Sequence, residues 1–335
     1  MNIPVIVSLS YFNYAVSACV GGLFALAGLT DLGTLASYLI YVRQSAMPMN
    51  QFTQQINFLL AALSGAERIF EILDTEAKIS DADGVTKLPP VKGAVTFDHV
   101  SFSYDGEKRI LNDVSFQIKP GETIALVGPT GAGKTTIVNL ISRFYDIQTG
   151  HILIDDYDVQ KISIESLRQQ MGVMTQDNFL FSGTIKDNIR YGKLDATDEE
   201  IIAAAKAVNA HDFILKLEKG YDTVLSERGG GLSIGQKQLL AFARTMVSDP
   251  RILILDEATS SIDTNTEILV QEGIEQLLKG RTSFIIAHRL STIQKADRIF
   301  VIDDGRIIED GNAAQLLAQK GFYYDLYMSQ FKNVM

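Results

Sequence analysis

Cysteine is nearly absent from this chain of 335 residues, in which Cys19 is the only example. A single cysteine cannot form a disulfide within the chain, so the fold must be stable without one. Because Cys19 lies in an apolar run, we expect it to pack as a small hydrophobic residue. The length allows one large domain or two, and the hydrophobic content of 46% is enough for a sizeable core.

Charge is missing from the N-terminal part of the chain. Met1 to Thr30 contains no charged residue, and Asp31 and Arg43 are the only charges as far as Ala66. The formal net charge of −10 therefore belongs entirely to the residues that follow. Since nucleic-acid binding needs a basic face, this balance argues against a nucleic-acid partner. The early basic region of a secretory signal is absent as well.

The charge-free segment instead predicts a membrane-spanning helix over about residues 1–29, because roughly 20 apolar residues are enough to cross a bilayer. A second span is predicted over about residues 32–60. Its helical spacing continues to residue 73, which indicates that this helix extends into the cytoplasm and that residues 1–73 form a partial membrane domain.

The second predicted span is polar for a helix that faces lipid. Arg43 lies within it, and a central arginine costs about 2.5–3.5 kcal/mol on insertion scales. The other polar side chains of this stretch are Gln44, Asn50, Gln51, Gln54 and Gln55. Two interpretations stay open: these residues face protein or a water-filled path, or Arg43 extends to the membrane surface and the glutamines already lie below the bilayer.

Residues 74–92 lose the helical period, gain charge and end near two prolines, which predicts a linker. The remainder, residues 93–335, is predicted to be a separate domain. AVTFDHVSFSY and ILNDVSFQI alternate in the manner of half-buried antiparallel strands, whereas TIALV, RILILD and TSFIIA are typical of buried parallel strands. Helical patterns separate them, so we expect an α/β domain with an antiparallel β flank, preceded by two α-helical membrane segments.

A phosphate-binding loop is predicted where TIALV ends, in GPTGAGKTT. Gly128 and Gly133 are followed by Lys134 and Thr135, and the motif lies between a predicted strand and a predicted helix. Glycines allow backbone N–H groups to converge on phosphates, with the positive end of the helix dipole behind them. We expect Lys134 to reach the β and γ phosphates and the Thr135 hydroxyl to bind Mg²⁺.

A pair of carboxylates is predicted at the end of another strand. In RILILDEATSSID, four apolar residues precede Asp256 and Glu257, and ligands of α/β sheets bind at such strand ends. We expect Asp256 to hold Mg²⁺ through its water shell and Glu257 to polarise a water for in-line attack on the γ phosphate. Alone, the pair could be a mere strand end; beside a phosphate loop, the functional interpretation is favoured.

A third segment, GGGLSIGQKQLLAFARTM, has the pattern of a helix N-terminus suited to an anion. Ser233 and Gln236 also form an S-x-x-Q capping box, which by itself needs no ligand. Together the three segments resemble the ATP-binding cassette (ABC) transporters over nearly the whole chain, and LSIGQ resembles the signature motif of that family. The resemblance implies that Ser233 and the Gly235 backbone contact the γ phosphate of an ATP held by the phosphate loop of a second subunit.

Four further positions take roles from the same resemblance. Tyr104 in FSYDG is similar to the aromatic residue that stacks on adenine, and Gln176 in MTQDNFLFSG to the glutamine that senses Mg²⁺ and the attacking water. Asp263 in SSID is similar to the aspartate that crosses between subunits, and His288 in IIAHRL to the histidine on the γ phosphate.

The resemblance thus implies ATP and Mg²⁺ as cofactors and three sets of site residues. The nucleotide-binding set is Tyr104, Gly128, Thr130, Gly131, Gly133, Lys134, Thr135, Thr136, Ser233, Gly235, Gln236 and Asp263; the catalytic set is Glu257, His288 and Gln176; and the magnesium set is Thr135, Gln176 and Asp256.

The order of the parts and the sequence SERGGG before the signature are similar to exporters of the multidrug and lipid type. This implies a multi-pass protein of the plasma membrane that contacts membrane lipid and has a cytoplasmic ATPase domain with a helical subdomain. It also implies an identical or different ABC subunit as partner, and ATP hydrolysis coupled to export of a substrate that the sequence does not identify.

Two features depart from the family pattern. Exporters of this type carry six spans in each subunit, whereas this chain has room for two. We therefore expect a truncated or split part of a transporter, with the other helices supplied by another chain or by the full-length product. Ile234 stands where the family more often has Gly, and it would be tolerated if its side chain points away from the nucleotide.

Two alternatives use the same cassette. A soluble ABC-type ATPase that clamps DNA, such as a chromosome or repair ATPase, would be favoured by long coiled coils and a basic face, and the sequence has neither. A regulatory or inactive nucleotide-binding module is disfavoured because Lys134, Glu257 and His288 are all retained.

Overall fold

A computed structural model of the chain describes residues 3–75, 79–81, 84–175, 179–256, 264–286 and 290–332. It divides the chain into two compact units, residues 1–77 and residues 78–335. The first unit contains the helices α1 (Ile3–Leu26) and α2 (Leu32–Leu73), which pack against each other.

The long helix that the extended helical spacing predicts is present, since α2 runs for 42 residues through Arg43 and Pro48. Asp31 caps its N-terminus by accepting hydrogen bonds from the N–H groups of Gly33 at 2.8 Å and Thr34 at 2.9 Å. By length and composition, the described residues contain one helical segment apolar enough to cross a membrane, Val7–Leu26. The arginine and glutamines of α2 interrupt its apolar sequence, so the second span stays a prediction.

The second unit alternates strands and helices along most of its length. Its strands are β1 (Val95–Ser103), β2 (Arg109–Ile118), β3 (Thr123–Val127), β4 (Thr149–Ile154), β5 (Tyr157–Asp158), β6 (Met171–Met174), β7 (Gly183–Thr184), β8 (Val224–Leu225), β9 (Ile252–Asp256), β10 (Thr282–Ile286), β11 (Arg298–Asp303) and β12 (Arg306–Gly311). Its helices are α3 (Lys134–Ile141), α4 (Ile164–Gln169), α5 (Ile185–Arg190), α6 (Asp198–Ala207), α7 (His211–Leu215), α8 (Ile234–Ser248), α9 (Thr264–Leu278), α10 (Leu290–Gln294), α11 (Ala313–Gln319) and α12 (Phe322–Lys332).

The central sheet has the strand order β12-β11-β3-β10-β9-β6. All of its neighbouring pairs are parallel except β11 with β12, which are antiparallel. A second sheet, antiparallel throughout, has the order β2-β1-β4-β5, and β7 pairs with β8 in a small ribbon. The predicted parallel strands and antiparallel flank are confirmed. The parallel strands β3, β9 and β10 are mostly apolar because both of their faces are buried.

Two hydrophobic clusters cover the two faces of the central sheet. Alternate residues of β9, such as Leu253 and Ile254, belong to different clusters. One cluster includes the apolar side of α8, and the other includes α3 and the antiparallel sheet. Complete burial of a Leu or Ile side chain contributes about 1.5–3 kcal/mol, so the sheet is held rigidly between these layers.

Residues 86–94, which precede β1, pack against the rest of the second unit. Leu88 and Val91 are buried in its core, and Thr86 forms a β-bridge with Ile162. The carboxylate of Asp155 accepts hydrogen bonds from the N–H groups of three successive residues, Lys92, Gly93 and Ala94. These contacts fix residues 86–94 against the rest of the second unit.

Candidate nucleotide-binding site

Residues 128–133 turn the chain from the end of β3 into the start of α3, and the two glycines of the motif are required sterically. Gly128 has φ of 150°, and a Cβ atom there would lie 2.0 Å from the carbonyl oxygen of Ile302 in β11. Gly133 has φ of 110°, and a Cβ atom there would lie 2.8 Å from the side chain of Leu111. Only glycine fits this backbone, which leaves a loop with exposed N–H groups.

The turn between β11 and β12 supports the loop from outside. The carbonyl of Ala132 accepts a hydrogen bond from the N–H of Gly305 at 3.1 Å, and the carbonyl of Gly305 accepts one from the N–H of Asn112 at 2.9 Å. The loop is thus tied to β2 and to the edge of the central sheet.

The N-terminus of α3 faces this loop. Gly133 occupies the N-cap position and has no side chain to accept from the first N–H groups of the helix. Thr135 is exposed in the first turn, whereas Thr136 is buried. A phosphate fits the free N–H groups and the helix dipole, and the exposed Thr135 hydroxyl is a ligand of the kind that Mg²⁺ takes.

Lys134 folds its side chain back over the loop. Its Nζ donates hydrogen bonds to the carbonyl oxygens of Gly128 and Pro129, both at 2.8 Å. Partial burial lowers the pKa of Lys134, and the charge of Asp256 opposes that shift only in part. The ammonium is therefore held at the loop with less hydration than a free lysine, and an anionic phosphate would be a stronger partner than two carbonyls.

Asp256 is the last residue of β9 and lies half-buried at the carboxyl edge of the central sheet. In the register of the sheet, β10 lies between β9 and β3, with Ile286 opposite both Asp256 and Leu126. The loop after β3 and the Asp256 carboxylate at the end of β9 therefore occupy the same edge, two strand spacings apart. This arrangement agrees with the electrostatic influence of Asp256 on Lys134.

Four predicted site residues lie outside the described residues: Gln176, Glu257, Asp263 and His288. The sequence places Gln176 two residues after β6, Glu257 directly after β9 and His288 two residues after β10. Because these strands are parallel neighbours, their carboxyl ends share the edge that carries the phosphate loop. The predicted roles of all four residues stay predictions.

Tyr104 lies directly after β1 and reaches the first turn of α3. Its hydroxyl lies 3.1 Å from the Thr136 hydroxyl oxygen, in a hydrogen bond that either group can donate. Tyr104 as a whole is 48% exposed. The structure therefore brings an accessible aromatic side chain next to the loop, where an adenine ring attached to loop-bound phosphates could stack.

Ser233 caps α8, as the S-x-x-Q pattern predicts. Its N–H donates to the Gln236 side chain at 3.0 Å, and its Oγ accepts from the Gln236 N–H at 3.2 Å. Ser233 is exposed, Gly235 is buried, and Ile234 is 56% exposed with its side chain directed to solvent. The isoleucine thus does not disturb the capping arrangement.

Tyr145 belongs to the site although no sequence motif points to it: the centroid of its ring lies 4.8 Å from that of Tyr104. The support of the loop by Asn112 and Gly305 is not predicted by a motif either. Nothing in the local spacing indicates these contacts, because they join residues that are distant along the chain. The one feature of the sequence that could have indicated Tyr145 is its place as an aromatic residue shortly after α3, the helix that follows the phosphate loop.

The second unit matches a known protein family over most of its central part. Residues 111–260, which include the phosphate loop, the Ser233 cap and Asp256, match the family model described as ABC transporter. The chain contains an ABC transporter ATP-binding domain. A domain of this family binds ATP.

The similarity extends beyond the ABC domain. An uncharacterized ABC transporter ATP-binding protein of Bacillus subtilis, YfiC, is 50% identical over 97% of this chain and 54% of its own length. A fatty acid ABC transporter ATP-binding/permease protein of Mycobacterium bovis is 45% identical over 96% of this chain and 51% of its own length. The chain therefore spans about half the length of the curated relatives it matches.

A solved structure of a bacterial Atm1-family ABC exporter with ATP bound has the same fold. The TM-score is 0.75 and the identity 37%, and the match covers 97% of this chain and 57% of the exporter chain. The two relatives are named as ABC transporter proteins and the solved structure as an ABC exporter, which favours the exporter interpretation of the sequence over a DNA clamp.

Proposed function

We propose that the chain is the ATP-hydrolysing part of an ABC exporter and couples nucleotide-driven association of two ABC domains to export across a membrane. The observation that carries this proposal is the edge of the central sheet. There a sterically required glycine loop, a poorly hydrated lysine and the Asp256 carboxylate lie together, in a chain that also has an apolar helix long enough to cross a membrane.

In the proposed mechanism, the N–H groups of the loop and Lys134 hold the β and γ phosphates of ATP. Thr135 and Asp256 are the described residues suited to hold Mg²⁺, which when bound would supply positive charge that stabilises the phosphates during hydrolysis. Glu257, next to Asp256 in the sequence, orients the attacking water and accepts its proton. Gln176 and His288 are proposed to contact the water and the γ phosphate.

The Ser233 cap is proposed to act on the nucleotide of a second subunit. Within its own domain, α8 packs against β6. The strand order separates β6 from β3 by three spacings, or about 14 Å at roughly 4.8 Å each. Since Ser233 is exposed at the start of α8, its hydroxyl can donate to a phosphate held by a facing domain while Oγ still accepts from the Gln236 N–H.

Helices α1 and α2 are proposed to lie in the membrane. Large apolar side chains are exposed along both helices; those of α1 include Leu9, Phe12, Leu23 and Phe24. Soluble monomers rarely expose contiguous apolar patches above a few hundred Å². Lipid or further membrane helices would cover this surface, and the ATP-binding domain would then lie in the cytoplasm.

Membrane retention tests this part of the proposal. The full chain, expressed in bacteria, should stay in the membrane pellet after an alkaline wash, because lipid covers α1. Val16→Arg with Val20→Arg should increase the released fraction, since each central arginine costs about 2.5–3.5 kcal/mol on insertion scales. The matched control, Val16→Leu with Val20→Leu, should behave as the unmodified chain. Recovery of the unmodified chain as a dispersed monomer without detergent would contradict the proposal.

A further inference from the structure

Three aromatic rings form a cluster beside the phosphate loop. Tyr104 contacts Phe102 and Tyr145 edge to face, with centroid distances of 4.9 Å and 4.8 Å and interplanar angles of 87° and 82°. Phe102 and Tyr145 are themselves 5.9 Å apart. Tyr104 is therefore held by two rings, both in the geometry that aromatic pairs prefer.

The two supporting rings stand on rigid parts of the domain. Phe102 belongs to β1 and is only 2% exposed. Tyr145 follows α3, in a loop that starts at the buried Arg143. The Arg143 guanidinium donates to the carboxylate of Asp146 at 2.9 Å and to the carbonyl of Ile162 at 2.8 Å. Residues on both sides of Tyr145 are thus fixed in place.

Tyr104 itself has less support from the backbone. It lies one residue beyond the end of β1, and it is 48% exposed. Exposed side chains change rotamer on the picosecond to nanosecond timescale unless neighbours restrain them. The described neighbours that restrain this ring are Phe102, Tyr145 and, through its hydroxyl, Thr136.

We propose that Tyr145 is a positioning residue for the nucleotide base: its ring holds Tyr104 in the orientation in which Tyr104 stacks on adenine. The inference rests on the proposed function, because it requires a base on Tyr104. A Tyr104 ring that is already oriented loses less conformational freedom when the base binds. The contact with Tyr145 should therefore increase the affinity for the nucleotide. Tyr145 would contribute to binding of the base and not to binding of the phosphates.

The contact geometry indicates that Tyr145 supports Tyr104 through its ring and not through its hydroxyl. The contact with Tyr104 is made by the ring, so phenylalanine should replace tyrosine at 145 without loss, whereas alanine or leucine should not. One aromatic pair is worth about three- to tenfold in an equilibrium constant, which sets the expected loss of affinity.

The test compares two probes on the full chain: a non-hydrolysable ATP analogue, and inorganic tripolyphosphate, which has no base. Tyr145→Ala and Tyr145→Leu should weaken binding of the analogue about three- to tenfold and leave that of tripolyphosphate unchanged, while Tyr145→Phe should bind both as the unmodified chain. In a Tyr104→Ala background, Tyr145→Ala should have no further effect on the analogue.

The proposal is overturned if Tyr145→Ala weakens both probes equally, weakens neither, or still weakens the analogue when Tyr104 is absent. The Leu variant keeps the apolar bulk and gives the same answer if the Ala variant does not fold. Tyr104→Ala distinguishes a failure of base stacking on Tyr104 from a failure of the role proposed for Tyr145. If it leaves the ratio of the two affinities unchanged, the base does not stack on Tyr104, and the role that the resemblance implies for Tyr104 fails together with that of Tyr145. If it changes the ratio and Tyr145→Ala does not, only the role of Tyr145 fails.

Discussion

Glu257→Gln is expected to leave ATP binding intact and to reduce turnover by a factor on the order of 10² or more. Glutamine has almost the same shape as glutamate but cannot accept the proton of the attacking water. Glu257 directly follows Asp256, the last residue of β9, and β9 ends at the edge that carries the phosphate loop. We therefore propose that Glu257 acts on the attacking water and does not hold the nucleotide.

Equilibrium ATP binding and steady-state hydrolysis, measured on the same preparation, check this prediction. Glu199→Gln is the matched control, since Glu199 is exposed in α6, and both activities should stay unchanged in that variant. Unchanged turnover in Glu257→Gln would remove Glu257 as the general base.

Lys134→Ala is expected to weaken nucleotide binding itself, by about one to two orders of magnitude. Hydrogen bonds to charged groups contribute about 1.5–3 kcal/mol, and the ammonium is already held at the loop by two carbonyls. Lys119→Ala is the control, because Lys119 is exposed away from the loop, at the end of β2. Affinity of the Lys134 variant equal to that of the control would count against the phosphate loop.

The lowered pKa of Lys134 adds a dependence on pH. At pH values between the lowered pKa of Lys134 in the folded chain and its ordinary pKa of 10.5, the unfolded chain carries more protons at this group than the folded chain does. The contribution of Lys134 to the free energy of unfolding therefore rises with pH across that window. ATP affinity depends on pH in the opposite direction, because phosphates favour the charged ammonium of Lys134. ATP affinity should therefore fall as pH rises through the lowered pKa of the free site, and Lys134→Ala should lose this dependence.

The core of the ABC domain could be predicted because its signals are local. TIALV, RILILD and TSFIIA are short apolar runs, and each became a parallel strand, β3, β9 and β10. The phosphate loop follows from the spacing of two glycines and a lysine, and the capping box from Ser233 and Gln236. Each of these patterns lies within about fifteen residues.

The remaining contacts depend on tertiary structure. The ring of Tyr145 meets that of Tyr104 across 41 positions of sequence, and Asp155 binds residues 92–94 through their backbone. Neither contact leaves a periodic pattern. The second membrane span is a different case: its sequence mixes apolar residues with Arg43 and glutamines, so composition alone does not distinguish a span from a helix at the membrane surface.

Hydrolysis by two mixed dimers tests most directly whether one subunit's phosphate loop and the other's signature form a shared ATP site. In the first dimer, one chain carries Lys134→Ala and the other Ser233→Arg; in the second, one chain carries both changes beside an unmodified partner. Sharing between subunits leaves one intact site in the first dimer and none in the second. The first dimer should therefore hydrolyse ATP faster. Equal or greater hydrolysis by the second dimer would contradict the shared site and would show that Ser233 does not serve the partner's nucleotide.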